Sequence, residues 1–403
     1  MTSAEDRRSG RILVLVAIVT LALTLRPVVN ALGVVMPELR ADTGLSGTAA
    51  GLLLALPTLS FAVLGIMTPS LAARIGSHRT VVLALVALVA GQLIRSLLPG
   101  PLALFGGSVL GLAGIAGANV LLPGLVRLHF PRAIGPVTAL YTTLLALGAA
   151  AASGLTLPLQ HAFGGDWRLG IGLWTTLALL ALAPWVALAN GRPRPTPATS
   201  GQRLSVRRVL GTRVAWAMIF YFGLQALQAY VLFGWLPELL VDAGISDTAA
   251  AAQVALMAVI SVPIAAVAPA LVAGVRNPRW IVLLFSAGYL GGYLGLLIAP
   301  ATATWVWSVL IGLGQGAFPI ALTLIALRAR TGPGTFALSA VTQSGGYLLA
   351  SIGPIAFGVL HDLSGGWTVP LLMLCVVLAA HVVAGLAAAK PRYVEDELPP
   401  PDG

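Results

Sequence analysis

Twelve apolar runs, separated by short polar turns, occupy almost the whole chain. They fall at about 12–37, 47–73, 80–98, 102–126, 133–160, 168–190, 213–240, 248–273, 280–299, 303–327, 335–360 and 367–389. An α-helix needs roughly 20 apolar residues to cross the hydrocarbon of a bilayer. Inside lipid every backbone N–H and C=O must be satisfied internally, which such a helix does. The pattern therefore predicts an all-α membrane protein with twelve transmembrane helices. The first run is too long for the apolar core of a signal peptide and lacks a small-residue cleavage pattern, so it reads as span one.

Composition supports this reading. Of the 403 residues, 58% are hydrophobic and only 9% are charged, against roughly 25% charged in a soluble domain. Too few charges remain to cover a water-facing surface. A net charge of +10 would suggest nucleic acid in a soluble protein, but here the basic residues sit in turns, not along one face with interleaved aromatics. No nucleic-acid partner is expected; the charges mark topology.

Arg74 and Arg79, Arg127 and Arg132, Arg276 and Arg279, and Arg328 and Arg330 lie in alternate turns. Arg7, Arg8 and Arg11 precede span one, and Arg192, Arg194, Arg203, Arg207 and Arg208 fill the central break. On the other side only Arg40, Arg95 and Arg168 appear. Basic turns stay in the cytoplasm, which predicts a multi-pass protein of the cell inner (plasma) membrane with both termini cytoplasmic. The break at 191–212 opens on Arg192-Pro193-Arg194-Pro195 and reads as a flexible cytoplasmic linker. It joins a six-helix half at 1–190 to another at 213–390. The tail at 391–403, with Glu395, Asp396 and Glu397 before its prolines, is expected to be disordered and its charges only to solvate it.

The halves repeat. Residues 37–50 read PELRADTGLSGTAA and residues 237–250 read PELLVDAGISDTAA, with nine of fourteen positions identical. The same offset pairs Trp167 with Trp367. Pro37 and Pro237 are expected to end one helix, Gly44 and Gly244 to turn the chain, and Ser46 and Ser246 to cap the next helix. On this reading the repeat folds a turn and touches no substrate, and it defines two six-helix halves in parallel orientation.

Ionisable residues inside a membrane are costly and mark candidate sites. Arg26 lies about half-way along span one in LTLRPVVNALG, with Asn30 one turn on along the same face. Pro27 leaves a carbonyl without its helical donor. A guanidinium here suits an anion or an electron-rich polar solute; the alternative is an Arg satisfied by carbonyls or a neighbouring Gln, holding two helices together. Further polar residues fall on spans four, five, seven, ten and eleven: Asn119, Tyr141, Gln225, Gln315, Gln343 and Tyr347. Each serves equally as interhelical glue. The acidic residues all lie in termini or turns, which argues against a carboxylate proton relay. Arg95, near the outer end of span three, reads as snorkelling to the interface. The single cysteine, Cys375, and five scattered histidines offer no metal cluster, and no nucleophile–base set can be assembled. No catalytic residue, metal or cofactor is expected, and the chain is not read as an enzyme.

The stretches LRPVVNALGVVMPEL, GANVLLPGLVRLHFP, GLGQGAFPIALTLIALRART and AVTQSGGYLLASIGPIAFGVLHDLSGGW resemble the cyanate/nitroimidazole transporter (CynX/NimT) branch of the major facilitator superfamily. The resemblance spans nearly the whole chain apart from the tail. It implies the major facilitator fold, two six-helix halves that rock to give alternating access, and a small anion or polar, nitrogen-heterocyclic solute as substrate. The partners expected are that solute, a coupling ion and the lipid bilayer, with the protein a monomer. The resemblance carries Arg26 and Asn30 over as cavity residues, followed by Asn119, Tyr141, Gln225, Gln315, Gln343 and Tyr347. The sequence departs from the superfamily in two places. The loop after span two reads Pro69-Ser70-Leu71-Ala72-Ala73-Arg74-Ile75-Gly76-Ser77, with Ala73 where the superfamily has Asp, and span five lacks the Gly-Pro signature of drug/proton antiporters. Both departures weaken the alternative of a multidrug or metabolite efflux pump.

Overall fold

The computed structural model describes residues 4–130, 132–190, 206–275 and 277–398. Among them every regular element is helical. Twelve helical stretches are long and apolar enough to span a membrane: Arg11–Val34, Gly47–Leu64, Ser77–Leu97, Pro101–Leu122, Leu140–Ala162, Trp167–Ala189, Arg213–Asp242, Asp247–Ala268, Arg279–Ile298, Thr304–Leu327, Ala337–Ser364 and Thr368–Ala388. They are spans one to twelve below.

Four spans are interrupted. Span one changes from Ala4–Leu25 to Pro27–Val34 across Arg26, span six from Trp167–Gly172 to Thr175–Ala189, span ten from Thr304–Gly314 to Ala317–Leu327, and span eleven from Gly332–Ala350 to Ile352–Ser364. Three of these breaks have a proline cause. Pro27 cannot donate to the Leu23 carbonyl, nor Pro319 to that of Gln315, nor Pro354 to that of Ala350 at the break in span eleven, and each ring crowds the carbonyl it fails to bond.

The repeat folds much as expected, with one correction. Pro37 and Pro237 do not end their helices: Pro237 lies inside the helix Arg213–Asp242, and Pro37 is the second residue of Met36–Thr43. Both helices run on to the glycine. Gly44 and Gly244 then take φ of +68° and +90°, a conformation that disfavours any side chain. At the second copy Ile245 N–H bonds the Leu240 carbonyl and Gly244 N–H that of Val241, a Schellman closure. Ser46 Oγ accepts from Ala49 N–H at 3.2 Å and Ser246 Oγ from Ala249 N–H at 3.4 Å, so both serines cap as expected.

By contact the chain groups into two compact units, Met1–Leu39 with Val63–Ala198, and Arg40–Ala62 with Thr199–Gly403. In the first unit spans three and four pack through glycines: Gly91 has no room for a methyl against Gly107 and Gly111, nor Gly114 against Ala84. Close backbone approach of this kind replaces the hydrophobic effect as the packing force between helices in lipid. In the second unit Gly223 of span seven meets Gly346 of span eleven, and Gly51 and Gly47 of span two lie against Pro354 and Gly358 of span eleven. The Asp362 carboxylate accepts from Gly47 N–H at 2.9 Å, Thr48 N–H at 2.7 Å and the Thr48 hydroxyl at 2.9 Å, so an acid from span eleven caps span two.

Most of the expected linker, 191–205, lies outside the described residues; Val206–Leu210 is a short helix. The tail expected to be disordered is instead ordered as far as Leu398, and residues 399–403 lie outside the described set. Val394 is fully buried and donates to the Arg328 carbonyl at 2.8 Å. Glu397 accepts from Arg213 N–H at 2.7 Å and Val214 N–H at 3.1 Å, capping span seven. Glu395 accepts from the N–H groups of Arg330 and Thr331 and from the Thr331 hydroxyl. Partial burial would raise its pKa, but these donors outweigh it and hold the carboxyl below its ordinary value. Two acids of the run are thus helix caps and the third, Asp396, pairs with the Arg330 guanidinium, which hydropathy alone could not distinguish from a solvated tail.

Candidate functional site

The interruption in span one sets up the first group of candidate residues. The Arg26 carbonyl accepts from Val29 N–H at 3.1 Å and Asn30 N–H at 3.0 Å, which starts the second helical segment. Span five approaches this break because Gly148 has no side chain: a Cβ there would lie 3.1 Å from the Leu23 carbonyl oxygen and 3.2 Å from Pro27 Cδ. The Arg26 side chain is half-buried, and among the described residues its guanidinium has neither an ion-pair nor a hydrogen-bond partner. Asn30 is 5% exposed and, among the described residues, its Nδ2 has no partner. Tyr141 is buried two turns from Gly148 along span five, and Asn119 is half-buried in span four.

Sequence reasoning misplaced Arg95. It does not snorkel: it is 2% exposed, donates from Nη2 to the Val28 carbonyl at 3.0 Å and from Nη1 to the Ser108 hydroxyl at 3.5 Å. Val28 lies midway between Arg26 and Asn30, so a guanidinium from span three fixes the segment that carries both. One turn earlier, Gln92 donates to the Ile171 carbonyl at 3.2 Å, just before the interruption in span six. Span three thus supplies donors to two interrupted neighbours. The signal was available as the polar pair Gln92 and Arg95 facing Ser108, but hydropathy does not reveal which face of a span is buried. Among the described residues no carboxylate pairs with Arg26 or Arg95. Two positive charges without counter-ions in a low-dielectric surround favour a negative or electron-rich guest.

The second unit holds the other four candidates. Gln225 and Gln315, 1% and 7% exposed, meet directly: Gln225 Nε2 donates to Gln315 Oε1 at 3.3 Å. Gln315 occupies the interruption in span ten, and Gln343 Nε2 bonds the Ser339 hydroxyl of its own helix at 2.8 Å. Tyr347 stacks on Phe61 at 5.2 Å between ring centroids and meets Phe222 edge-on at 5.1 Å; Phe222 lies 5.8 Å from Phe318. Sequence reasoning named Tyr347 but missed the rings that cluster with it, Phe61, Phe222 and Phe318. The signal for the cluster is that each amide has an aromatic one turn away: Phe222 for Gln225, Phe318 for Gln315 and Tyr347 for Gln343.

The description Major Facilitator Superfamily belongs to the sequence family whose profile matches residues 12–354. The chain belongs to that superfamily. Its likeness to a solved major facilitator structure, the bacterial homologue of the human lysosomal transporter Spinster in its inward-facing, unoccupied conformation, has a TM-score of 0.76 at 14% identity, covering 97% of this chain and 99% of that one. Sequence relatives run end to end. The chain is 39% identical over 396 residues to the uncharacterized transporter YycB of Bacillus subtilis (strain 168), covering 98% of each. It is 33% identical over 387 residues to the 2-nitroimidazole transporter of Escherichia coli (strain K12), covering 96% of this chain and 97% of that protein. To the cyanate transport protein CynX of the same organism it is 28% identical over 368 residues, covering 90% and 94%. The resemblance read from the four sequence stretches is therefore confirmed. This major facilitator protein is a multi-pass membrane transporter, not an enzyme.

Proposed function

We propose that this transporter is a secondary carrier that moves a small anion or a polar nitrogen heterocycle by alternating access of its halves at 1–190 and 213–390. One observation carries the reading: Arg26 presents an uncommitted guanidinium at a proline interruption inside a span, backed by a second buried guanidinium, Arg95, with no carboxylate paired to either among the described residues. A charge held this way costs free energy unless a guest completes it. Asn30 adds a buried amide whose Nδ2 has no partner among the described residues, suited to hydrogen-bonding the same guest. Gln225 and Gln315, with the rings of Phe222, Phe318 and Tyr347 one turn away, suit a flat polar ring that stacks on one face and hydrogen-bonds at its edge. Asn119, Tyr141 and Gln343 complete the proposed set. The relatives named for cyanate and for 2-nitroimidazole fit both halves of this description. The arginine-rich turns support cytoplasmic termini in the inner membrane.

Uptake by the full chain in liposomes tests the proposal, with cyanate as the anionic probe and 2-nitroimidazole as the heterocyclic one. Arg26→Ala is expected to lower cyanate uptake at least about ten-fold, the loss of one charge-assisted hydrogen bond. Unchanged cyanate uptake in that variant would remove Arg26 from the site. Transport of a lipophilic cation with no response to either probe would replace this reading with an efflux pump.

A further inference from the structure

A second cation-lined site lies at one end of the second unit, away from every candidate above. Span seven begins at Arg213, span ten ends at Leu327 and span twelve ends at Ala388. Where these ends meet, a cavity of about 190 Å³ is lined by Arg213, Arg328, Lys390 and Arg392 over a floor that includes Ala217 and Ala388. Four cations therefore face one small space.

Their commitments differ. Arg328 is 7% exposed and is anchored by the Ala388 carbonyl at 2.8 Å from Nε and the Ala389 carbonyl at 2.9 Å from Nη2. Burial lowers its pKa, yet a guanidinium stays charged across the physiological range. Arg392 lies 3.8 Å from the Glu397 carboxylate. Among the described residues the side chains of Arg213 and Lys390 form no ion pair. Glu397 spends one oxygen on the Arg213 and Val214 N–H groups and, among the described residues, is the only acid paired with these four cations. Three positive charges are left over.

A cluster of like charges around a cavity is unfavourable unless an anion completes it. The position identifies the anion. The cavity lies level with the ends of three spans, where lipid phosphates sit, and it combines an apolar floor with a cationic rim, as basic pockets between helices do when they hold lipid headgroups. We propose that this cavity binds a phosphate group, supplied by the headgroup of an anionic membrane lipid. Arg213 and Lys390 hold its oxygens, and Arg328 provides the fixed charge beneath. The site is independent of the substrate reading and of which side of the membrane it faces.

Native mass spectrometry of the full chain in detergent, titrated with phosphatidylglycerol, tests this. One tightly held phosphatidylglycerol is expected, with phosphatidylcholine bound far more weakly. The double variant Arg213→Gln/Lys390→Gln is expected to weaken that adduct about thirty-fold, two surface cations' worth of attraction. Arg279→Gln, an exposed cation outside the cavity, should leave it unchanged. Both residues of the double variant are exposed, and its melting temperature without lipid serves as the folding control. Equal binding of the two lipids, or an unweakened adduct in a folded double variant, would overturn the proposal. A parallel arm adds inorganic phosphate: if it stabilises the wild type and not the double variant, and phosphatidylglycerol adds nothing, the phosphate site stands and its ligand is the free ion.

Discussion

The two copies of the repeat begin alike and end up in different company. Glu38 is exposed and accepts from the Gln160 amide at 2.6 Å and from Trp167 N–H at 3.1 Å, tying the end of span one to the start of span six. Glu238, 200 residues on, is 6% exposed and pairs with Arg40, whose guanidinium also lies 5.8 Å from the centre of the Trp235 ring. In the second copy the start of span twelve is tied by Asp242, which accepts from the Trp367 indole at 2.9 Å. One substitution between the copies accounts for much of this: position 40 is Arg and position 240 is Leu. The first copy therefore exports a cation that the second copy's acid receives. A duplicated turn keeps its backbone logic while its side chains diverge into complementary partners.

Removing the acids one at a time separates the two copies by the largest margin. Glu238→Ala strands Arg40, only 19% exposed at its side chain, and is expected to cost about 3 kcal/mol in denaturant unfolding of the detergent-solubilised protein. Glu38→Ala, at an exposed position, should cost about 1 kcal/mol. Equal losses would mean that the copies are energetically equivalent after all. Next in size is Arg40→Leu, which gives the first copy the residue of the second. Alone it should cost about 2–3 kcal/mol, and the double variant Arg40→Leu/Glu238→Leu should recover most of that, because an apolar pair replaces an ion pair at little net cost. A double variant as unstable as either single one would show that the pair does more than neutralise itself.

What the copies share should respond equally. Gly44→Ala and Gly244→Ala are each expected to cost about 1–2 kcal/mol, since both residues hold a left-handed backbone; a difference larger than that spread would locate strain in one turn only. The smallest effect separates the caps. Ser246→Ala should lose about 1 kcal/mol of helix-end stability, while Ser46→Ala should lose less, because Asp362 also accepts from the first N–H groups of span two. In an Asp362→Ala background the two serines should become equivalent, read as hydrogen–deuterium exchange at residues 47–49 and 247–249.

Much of this was legible in sequence. Length and hydropathy count the spans because lipid leaves a helix no alternative, and the two Gly turns and Ser caps follow from backbone geometry that is local. Span three's Arg95 and the acidic tail were misread for a common reason: each is a polar group whose partner comes from a distant segment, the Val28 carbonyl for one and the helix starts at Arg213 and Thr331 for the other. Hydropathy ranks a residue by its own transfer cost, and that cost is reversed by a donor or acceptor it cannot see. The aromatic set around Tyr347 was missed because rings count as core in any apolar run, and only the packing of spans two, seven, ten and eleven shows that they cluster beside the amides.

The cap that Glu397 places on Arg213 and Val214 also has a consequence in time. A growing chain emerges from its amino end first, so span seven is inserted while its cap is still unmade, more than 180 residues of synthesis away. Thr212 can cap Ala215 N–H at once, but the N–H groups of Arg213 and Val214 wait for Glu397 through the delivery of five further helices. Closure of that end therefore follows the insertion of all twelve spans, and it couples the start of span seven to the stretch that follows span twelve.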